Sequence, residues 1–214
     1  MKYQIIPVTP FQQNCSLIWC DETKKAAVID PGGDFDRILV EVDKLGLKLE
    51  KILLTHGHID HVGAAKALAE QAGIPIIGPH EADSFWLESL PEQSKHFGFK
   101  PCEPFTPTQY LNAGDTVRLG SKTLEVLHCP GHTPGHLVFF SPSSKLAWVG
   151  DVLFHGSIGR TDFPQSNHSD LIDSITQTLW PLGRDVEFIP GHGPVSTFGH
   201  ERDQNPFVAD QLFY

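Results

Sequence analysis

The chain has one Met, four Cys with no Cys-x-x-Cys pair, no excess of basic residues and no long apolar run. Each shortage excludes something. The apolar runs end at stretches such as Leu137-Val138-Phe139-Phe140, far short of the ~18 residues that a membrane-crossing helix needs. One early Lys and the pair Ile5-Ile6, cut off by Pro7, do not read as a secretory leader. Sixteen Lys and Arg against 26 Asp and Glu leave a formal charge of −10, so no basic face rewards nucleic acid or anionic lipid. Cys15, Cys20, Cys102 and Cys129 read as free thiols in a reducing compartment. The expectation is a cytoplasmic monomer with no nucleic-acid or membrane partner.

What is present is a globular composition, 40% hydrophobic over 214 residues, which suits a single domain spanning 1–214. Short apolar runs bounded by turn residues predict strands at Tyr3–Val8, Ser16–Trp19, Ala26–Ile29, Lys51–Leu54, Ile74–Ile77, Thr116–Leu119, Thr123–Leu127, His136–Phe140, Leu146–Val149 and Val186–Ile189. Helical spacing of Phe35, Ile38, Leu39, Val42 and Leu45 predicts a helix stopped at Gly46. Further helices are expected over Val62–Ala72, over His80–Leu90, and around Leu171–Leu179 with Ser169 or Asp170 as N-cap. Pro91 to Tyr110, rich in Pro and aromatics, predicts a long irregular loop that forms a lid or pocket wall. Strands and helices in both halves imply an α/β chain of two packed sheets with helices outside.

Twelve His are the unusual feature, and their placement carries the chemistry. The sharpest segment is Thr55-His56-Gly57-His58-Ile59-Asp60-His61, directly after a buried strand. In extended chain, residues i and i+2 share a face, so His56 and His58 can grip one cation together. Asp60 and His61, entering the next helix, point elsewhere and suit a second cation. Neutral imidazole and carboxylate are standard ligands for zinc and iron. Three more strands run out into a turn bearing a ligand type: His128-Cys129-Pro130-Gly131-His132-Thr133-Pro134-Gly135-His136, Gly150-Asp151 and Pro190-Gly191-His192. Strand ends converging on one edge are where open sheets place their sites.

These motifs in this order, His-x-His-x-Asp-His, Gly-His-Thr-Pro-Gly, Gly-Asp and Pro-Gly-His, resemble the metallo-β-lactamase superfamily across most of the chain. The resemblance implies an αββα sandwich. It implies that His56, His58 and His132 hold one metal, that Asp60, His61 and His192 hold a second, and that Asp151 bridges them. Two divalent ions are expected, zinc first, with iron or manganese as alternatives. A bridging hydroxide would be the nucleophile, with Asp60 and Asp151 as the catalytic carboxylates, because bound metal lowers the pKa of water from 15.7 toward ~7. His128 and His136 would support the ligand loop, and Cys129 matches no ligand position. The two ions less their carboxylates and hydroxide leave a small positive charge within an acidic chain, which would draw in a small anionic substrate.

His61 directly after Asp60 is similar to the glyoxalase II pattern, and Val149–Phe154, Gly159–Pro164 and Phe198–Phe207 resemble its short, single-domain bacterial type. The implied reaction is hydrolysis of S-D-lactoylglutathione or similar acyl-glutathiones, as in methylglyoxal detoxification. Glyoxalase II enzymes commonly carry a C-terminal helical domain that holds glutathione, and its binding residues find no positions in the 22 residues after His192. Arg160, Phe163 and Tyr110 are therefore the expected substrate contacts, Arg160 because its guanidinium fork suits carboxylates. The alternative to Arg160 at the substrate is an ion pair with Asp162. The alternative activity is glutathione persulfide dioxygenation at one iron held by His56, His132 and Asp151; a non-catalytic metal protein is a third reading.

Overall fold

The computed structural model describes residues 1–212; Phe213 and Tyr214, the end of the expected domain, lie outside the described residues. Two sheets face each other. The first is built from β1 (Lys2–Val8), β2 (Gln13–Trp19), β3 (Lys25–Ile29), β4 (Lys48–Leu53) and β5 (Ile76–Ile77), in that spatial order. The second contains β6 (Thr116–Leu119), β7 (Lys122–His128), β8 (Leu137–Ser141) and β9 (Leu146–Gly150). A small hairpin follows, β10 (Leu153–Phe154) with β11 (Ser157–Ile158), and then β12 (Glu187–Pro190) and β13 (Ser196–Thr197) complete the second sheet in the order 13-12-9-8-7-6. Strands β3, β4 and β5 run parallel, as do β9 and β12, so their C-terminal ends gather on one edge.

Helices α1 (Phe35–Lys44), α2 (Ile59–Val62), α3 (Ala65–Ala72), α4 (Ser84–Glu88) and α5 (Leu90–Phe97) follow strands of the first sheet; α6 (His168–Asp173) and α7 (Phe198–Gln204) belong with the second. Burial explains the layering. Ile18, Ala27, Ile29, Leu53, Leu124, Phe139 and Trp148 form the core between the sheets. Ile38, Val42 and Leu68, one face each of α1 and α3, cover the far side of the first sheet. Leu171, Ile175 and Phe198 do the same for the second. The result is the expected αββα sandwich. None of the described helices is long and apolar enough to cross a membrane.

Several expected elements take another form. The helix expected over Val62–Ala72 is broken at Gly63-Ala64, leaving α2 as a single turn that carries Asp60 and His61. The expected loop from Pro91 begins as α5, because Pro sits in its first turn and Gly98, at φ 71°, closes it. Asn167, not Ser169 or Asp170, caps α6, accepting from the amides of both. The chain then continues as a π turn over Ser174–Leu179. All four Cys are free thiols.

Candidate metal centre

Five strand ends deliver the site. Asp30 follows β3, His56 and His58 follow β4, His132 follows β7, Asp151 follows β9 and His192 follows β12. Close approach here demands glycine: a Cβ on Gly191 would fall 2.1 Å from Asp151 Oδ1 and 2.6 Å from His61 Cε1.

The nitrogens of His56, His58 and His132 converge. His58 Nδ1 lies 3.1 Å from His56 Nε2 and 3.0 Å from His132 Nε2. Asp60, His61 and His192 form a second group, with Asp60 Oδ2 3.1 Å from His192 Nε2 and 3.8 Å from His61 Nε2. The Asp151 carboxylate lies between them, 3.3 Å from His61 Nε2, 3.6 Å from His132 Nε2 and 3.7 Å from His192 Nε2. Asp60 and His61 thus face a second group, as expected, though close to the first. The single turn of α2 swings the His61 ring back to 4.1 Å from the ring of His56.

Four of the five imidazoles are oriented from behind. Thr55 Oγ1 donates to Asp30 Oδ2 at 2.6 Å, which leaves its lone pair to accept from His56 Nδ1–H at 3.0 Å. His61 Nδ1–H donates to Asp30 Oδ2 at 2.9 Å, His132 Nδ1–H to the Arg160 carbonyl at 2.8 Å, and His192 Nδ1–H to the Phe11 carbonyl at 3.2 Å. With Nδ1 engaged in these four, their Nε2 atoms face the same space, whereas His58 turns its Nδ1 toward it. His58 Nε2, His61 Nε2 and Asp151 Oδ1 are buried with no hydrogen-bond partner among the described residues. Lone pairs gathered at 3 Å without protons between them repel, and cations turn that repulsion into attraction. The donor set, imidazole and carboxylate, therefore fits two divalent metal ions.

Burial pushes the pKa of His56, His58 and His132 down, and neighbouring imidazoles add to the effect at His56 and His58, so these rings are neutral and ready to ligate. Burial opposes charge on His61 too, but Asp151 and Asp60 outweigh it and raise its pKa well above the usual value. Burial alone would raise Asp151; His61, His192 and His132 instead hold it far below the usual carboxylate range. The second group thus already favours positive charge at its centre.

Support comes from residues that the motifs do not contain. Asp83, fully buried, accepts from Gly57 N at 2.9 Å, Thr133 Oγ1 at 2.8 Å and Gly135 N at 2.6 Å, and so joins the two histidine loops. His136 stacks on His56 at 4.6 Å and accepts from the Asp151 amide at 3.0 Å. His128 stacks on His80 at 4.4 Å, further out. Both act in support, while Cys129 is buried in the core of the second sheet.

A cavity of about 1290 Å³ opens beside the site, lined by His58, Asp60, His132, Asp151, Arg160, Phe163 and His192, and by α5 through Glu92, Gln93, Lys95, His96 and Phe97. Phe163 stands 4.8 Å from His58. Arg160 lies at the cavity and also makes the alternative ion pair, both nitrogens engaging Asp162 at 2.8 and 2.9 Å, with its guanidinium 4.7 Å over the Phe163 ring. Tyr110 is a correction: it does not reach the cavity. Backbone bonds from Thr108 to Ile76 and from Gly78 to Gln109 pin its segment along the edge of β5, where Tyr110, Phe99 and Phe105 pack on the core of the first sheet. Only the α5 part of the expected pocket wall lines the cavity.

This fold with a binuclear-type donor set at its strand ends defines a class. The sequence profile of the metallo-beta-lactamase superfamily matches residues 8–192, and the chain belongs to that superfamily. Over 209 residues it is 50% identical to hydroxyacylglutathione hydrolase GloC of Haemophilus influenzae, a match covering 97% of this chain and 98% of that protein. The crystal structure of BLEG-1 B3 metallo-beta-lactamase superposes with a TM-score of 0.89 at 35% identity, covering 97% of this chain and 99% of that one. TTHA1623 in a di-iron-bound form gives 0.87 at 35% identity, covering 96% and 100%. Within the superfamily the chain is a metallo-hydrolase similar to the hydroxyacylglutathione hydrolases.

Proposed function

We propose that the chain hydrolyses the thioester of acyl-glutathiones, S-D-lactoylglutathione among them, and that it does so with two divalent metal ions, zinc in the first place. The observation that carries the reading is the pair of ligand groups, His56, His58 and His132 against Asp60, His61 and His192, with Asp151 between them. When bound, such ions acidify water toward neutrality and polarise a carbonyl oxygen. The chain's own part is orientation. Asp30, Thr55 and the carbonyls of Arg160 and Phe11 hold the imidazoles, and Asp83 holds the two loops in register. Trp86 and Phe163 dry one wall, and Lys95 and Arg160 offer positive charge to an anionic substrate. Water oxygen adds to the thioester carbon, the C–S bond breaks, and sulfur leaves with the electron pair and takes up the proton, giving acid and thiol.

The relative of H. influenzae named for this activity supports hydrolysis over dioxygenation, and Asp60 and His192, 3.1 Å apart, would give a second ion its ligands. The test is metal analysis of the purified protein beside two assays, thiol release from S-D-lactoylglutathione and oxygen uptake with glutathione persulfide. Thiol release with two equivalents of metal supports the proposal. Oxygen uptake with one iron and no thioester turnover would replace it.

A further inference from the structure

The cavity has walls that a lactoyl group does not require. Six aromatic side chains line it: Phe11, Phe85, Trp86, Phe97, Phe154 and Phe163. They flank both ligand groups. Trp86 lies 4.5 Å from the His58 ring, Phe163 lies 5.5 Å from His132, and Phe154 lies 6.3 Å from His192. Phe11 and Phe97 meet edge to face at 6.0 Å, with 45% and 41% of their surfaces open to water. Exposed aromatic surface around a concave site marks a place where an apolar group binds.

The charges agree. The lining cations are Lys95 and Arg160, and Arg160 is already forked by Asp162, while Asp60, Glu92 and Asp151 bring carboxylates to the same walls. Glutathione carries two carboxylates, an ammonium and two amides, and its firm recognition calls for convergent polar partners. A 2-hydroxypropanoyl group is small and polar and would cover little of the aromatic wall. The volume, about 1290 Å³, leaves room for a larger group.

Resting on the thioesterase reading, we infer that the preferred substrates carry a bulky apolar acyl chain or an aryl ring, seated against Trp86 and Phe163, with the peptide portion held loosely toward Lys95 at the mouth. Complete burial of a methylene corresponds to about fourfold, ~0.8 kcal/mol. In a cavity this open about half of that burial is expected, or roughly twofold per methylene.

The experiment compares kcat/KM of metal-loaded protein on acetyl-, D-lactoyl-, butanoyl-, hexanoyl- and benzoyl-glutathione. In parallel, calorimetry measures the Kd of S-methyl-, S-butyl- and S-hexylglutathione, which are not hydrolysed. The expected result is that hexanoyl exceeds acetyl and D-lactoyl by about tenfold or more in kcat/KM, and that S-hexyl binds tighter than S-methyl by a similar factor. Phe97→Ala, at an exposed position, and Phe163→Ala should flatten both series while the thermal unfolding of Phe97→Ala stays unchanged. D-lactoyl equal to or better than hexanoyl, or a Kd indifferent to alkyl length, overturns the inference and leaves the hydrolase intact. No turnover of any thioester by metal-loaded protein overturns the hydrolase reading and this inference with it.

Discussion

Replacing Asp83 by Ala should loosen the site without touching a candidate ligand. The carboxylate receives two amides and a hydroxyl, from Gly57, Gly135 and Thr133, all in a buried setting. Orphaning three donors costs about 1–3 kcal/mol each. Against this stands the burial of the carboxylate itself. Burial raises its pKa from 3.8 to about 6, outweighing the three hydrogen bonds that lower it, which corresponds to about 3 kcal/mol by ~1.4 kcal/mol per tenfold. The net expectation at pH 7.5 is a loss of roughly 3 kcal/mol in Asp83→Ala. The pH dependence has a definite sign. Because the folded pKa lies above the unfolded one, this carboxylate's contribution to stability is complete below pH 3.8 and declines as pH rises through 6. The gap between parent and variant should therefore be about 1 kcal/mol larger at pH 5 than at pH 7.5. Urea denaturation of chelated protein at the two pH values measures it, with Asp83→Asn as a control that must turn its NH2 group toward at least one donor. A loss below about 1 kcal/mol, or a gap that widens on going to pH 7.5, would refute the reasoning.

Three further outcomes follow from the same geometry. Asp60→Ala, which removes a side chain 3.1 Å from His192 Nε2, should cut bound metal from two equivalents toward one and reduce hydrolysis strongly; full activity with one metal would sink the binuclear proposal. Asp30→Asn removes the anionic acceptor behind His61 and Thr55, so a competing chelator should reveal metal affinity weaker by about 10–100-fold, and unchanged affinity would deny that acceptor its role. Arg160→Ala breaks an exposed ion pair, so the melting temperature should barely move while KM for anionic thioesters rises; the reverse pattern would make Arg160 structural only.

Much of this was legible because strands in such a sheet are short, apolar and cut off by turn residues. Thr116–Leu119 has the predicted bounds, and β9 differs from expectation only by Gly150. Five of the seven candidate ligands are legible because each sits where a buried strand runs into a turn, and Asp60 and His61 because they close the same short His-x-His-x-Asp-His run on α2. Asp30 has the same construction, with Ala26–Ile29 leading into Asp30-Pro31-Gly32, and the rule applied evenly would have found it. Asp83 and Trp86 carry no such signal. They lie on a 3₁₀ turn and the short α4, where no strand end points to the site and only the packing of α4 and α5 brings them in.

Tyr110 shows why the substrate contacts were harder to read than the ligands. A ligand set is confined by coordination, since several atoms must come within a few ångströms of one point, and few chain paths achieve that. An apolar wall carries no such constraint, and any aromatic in a Pro-rich stretch is an equal candidate until the backbone is placed. Here the stretch divides by a local rule. Pro91 opens a helix that turns Phe97 toward Phe11 and the cavity, and Gly98 ends it. Beyond it the chain is captured by the open edge of β5, through Thr108, Gln109 and Ile76, and an unpaired edge strand takes up backbone partners whatever side chains they carry. Phe97 and Tyr110 thus part company because of hydrogen bonds, not hydrophobicity. The Phe97→Ala series should accordingly alter binding of S-hexylglutathione, and the same change at Tyr110 should leave that binding where it is and act on stability alone, since Tyr110 packs on the core of the first sheet. An effect of Tyr110→Ala on Kd equal to that of Phe97→Ala would show that the edge pairing does not govern which aromatics reach the cavity.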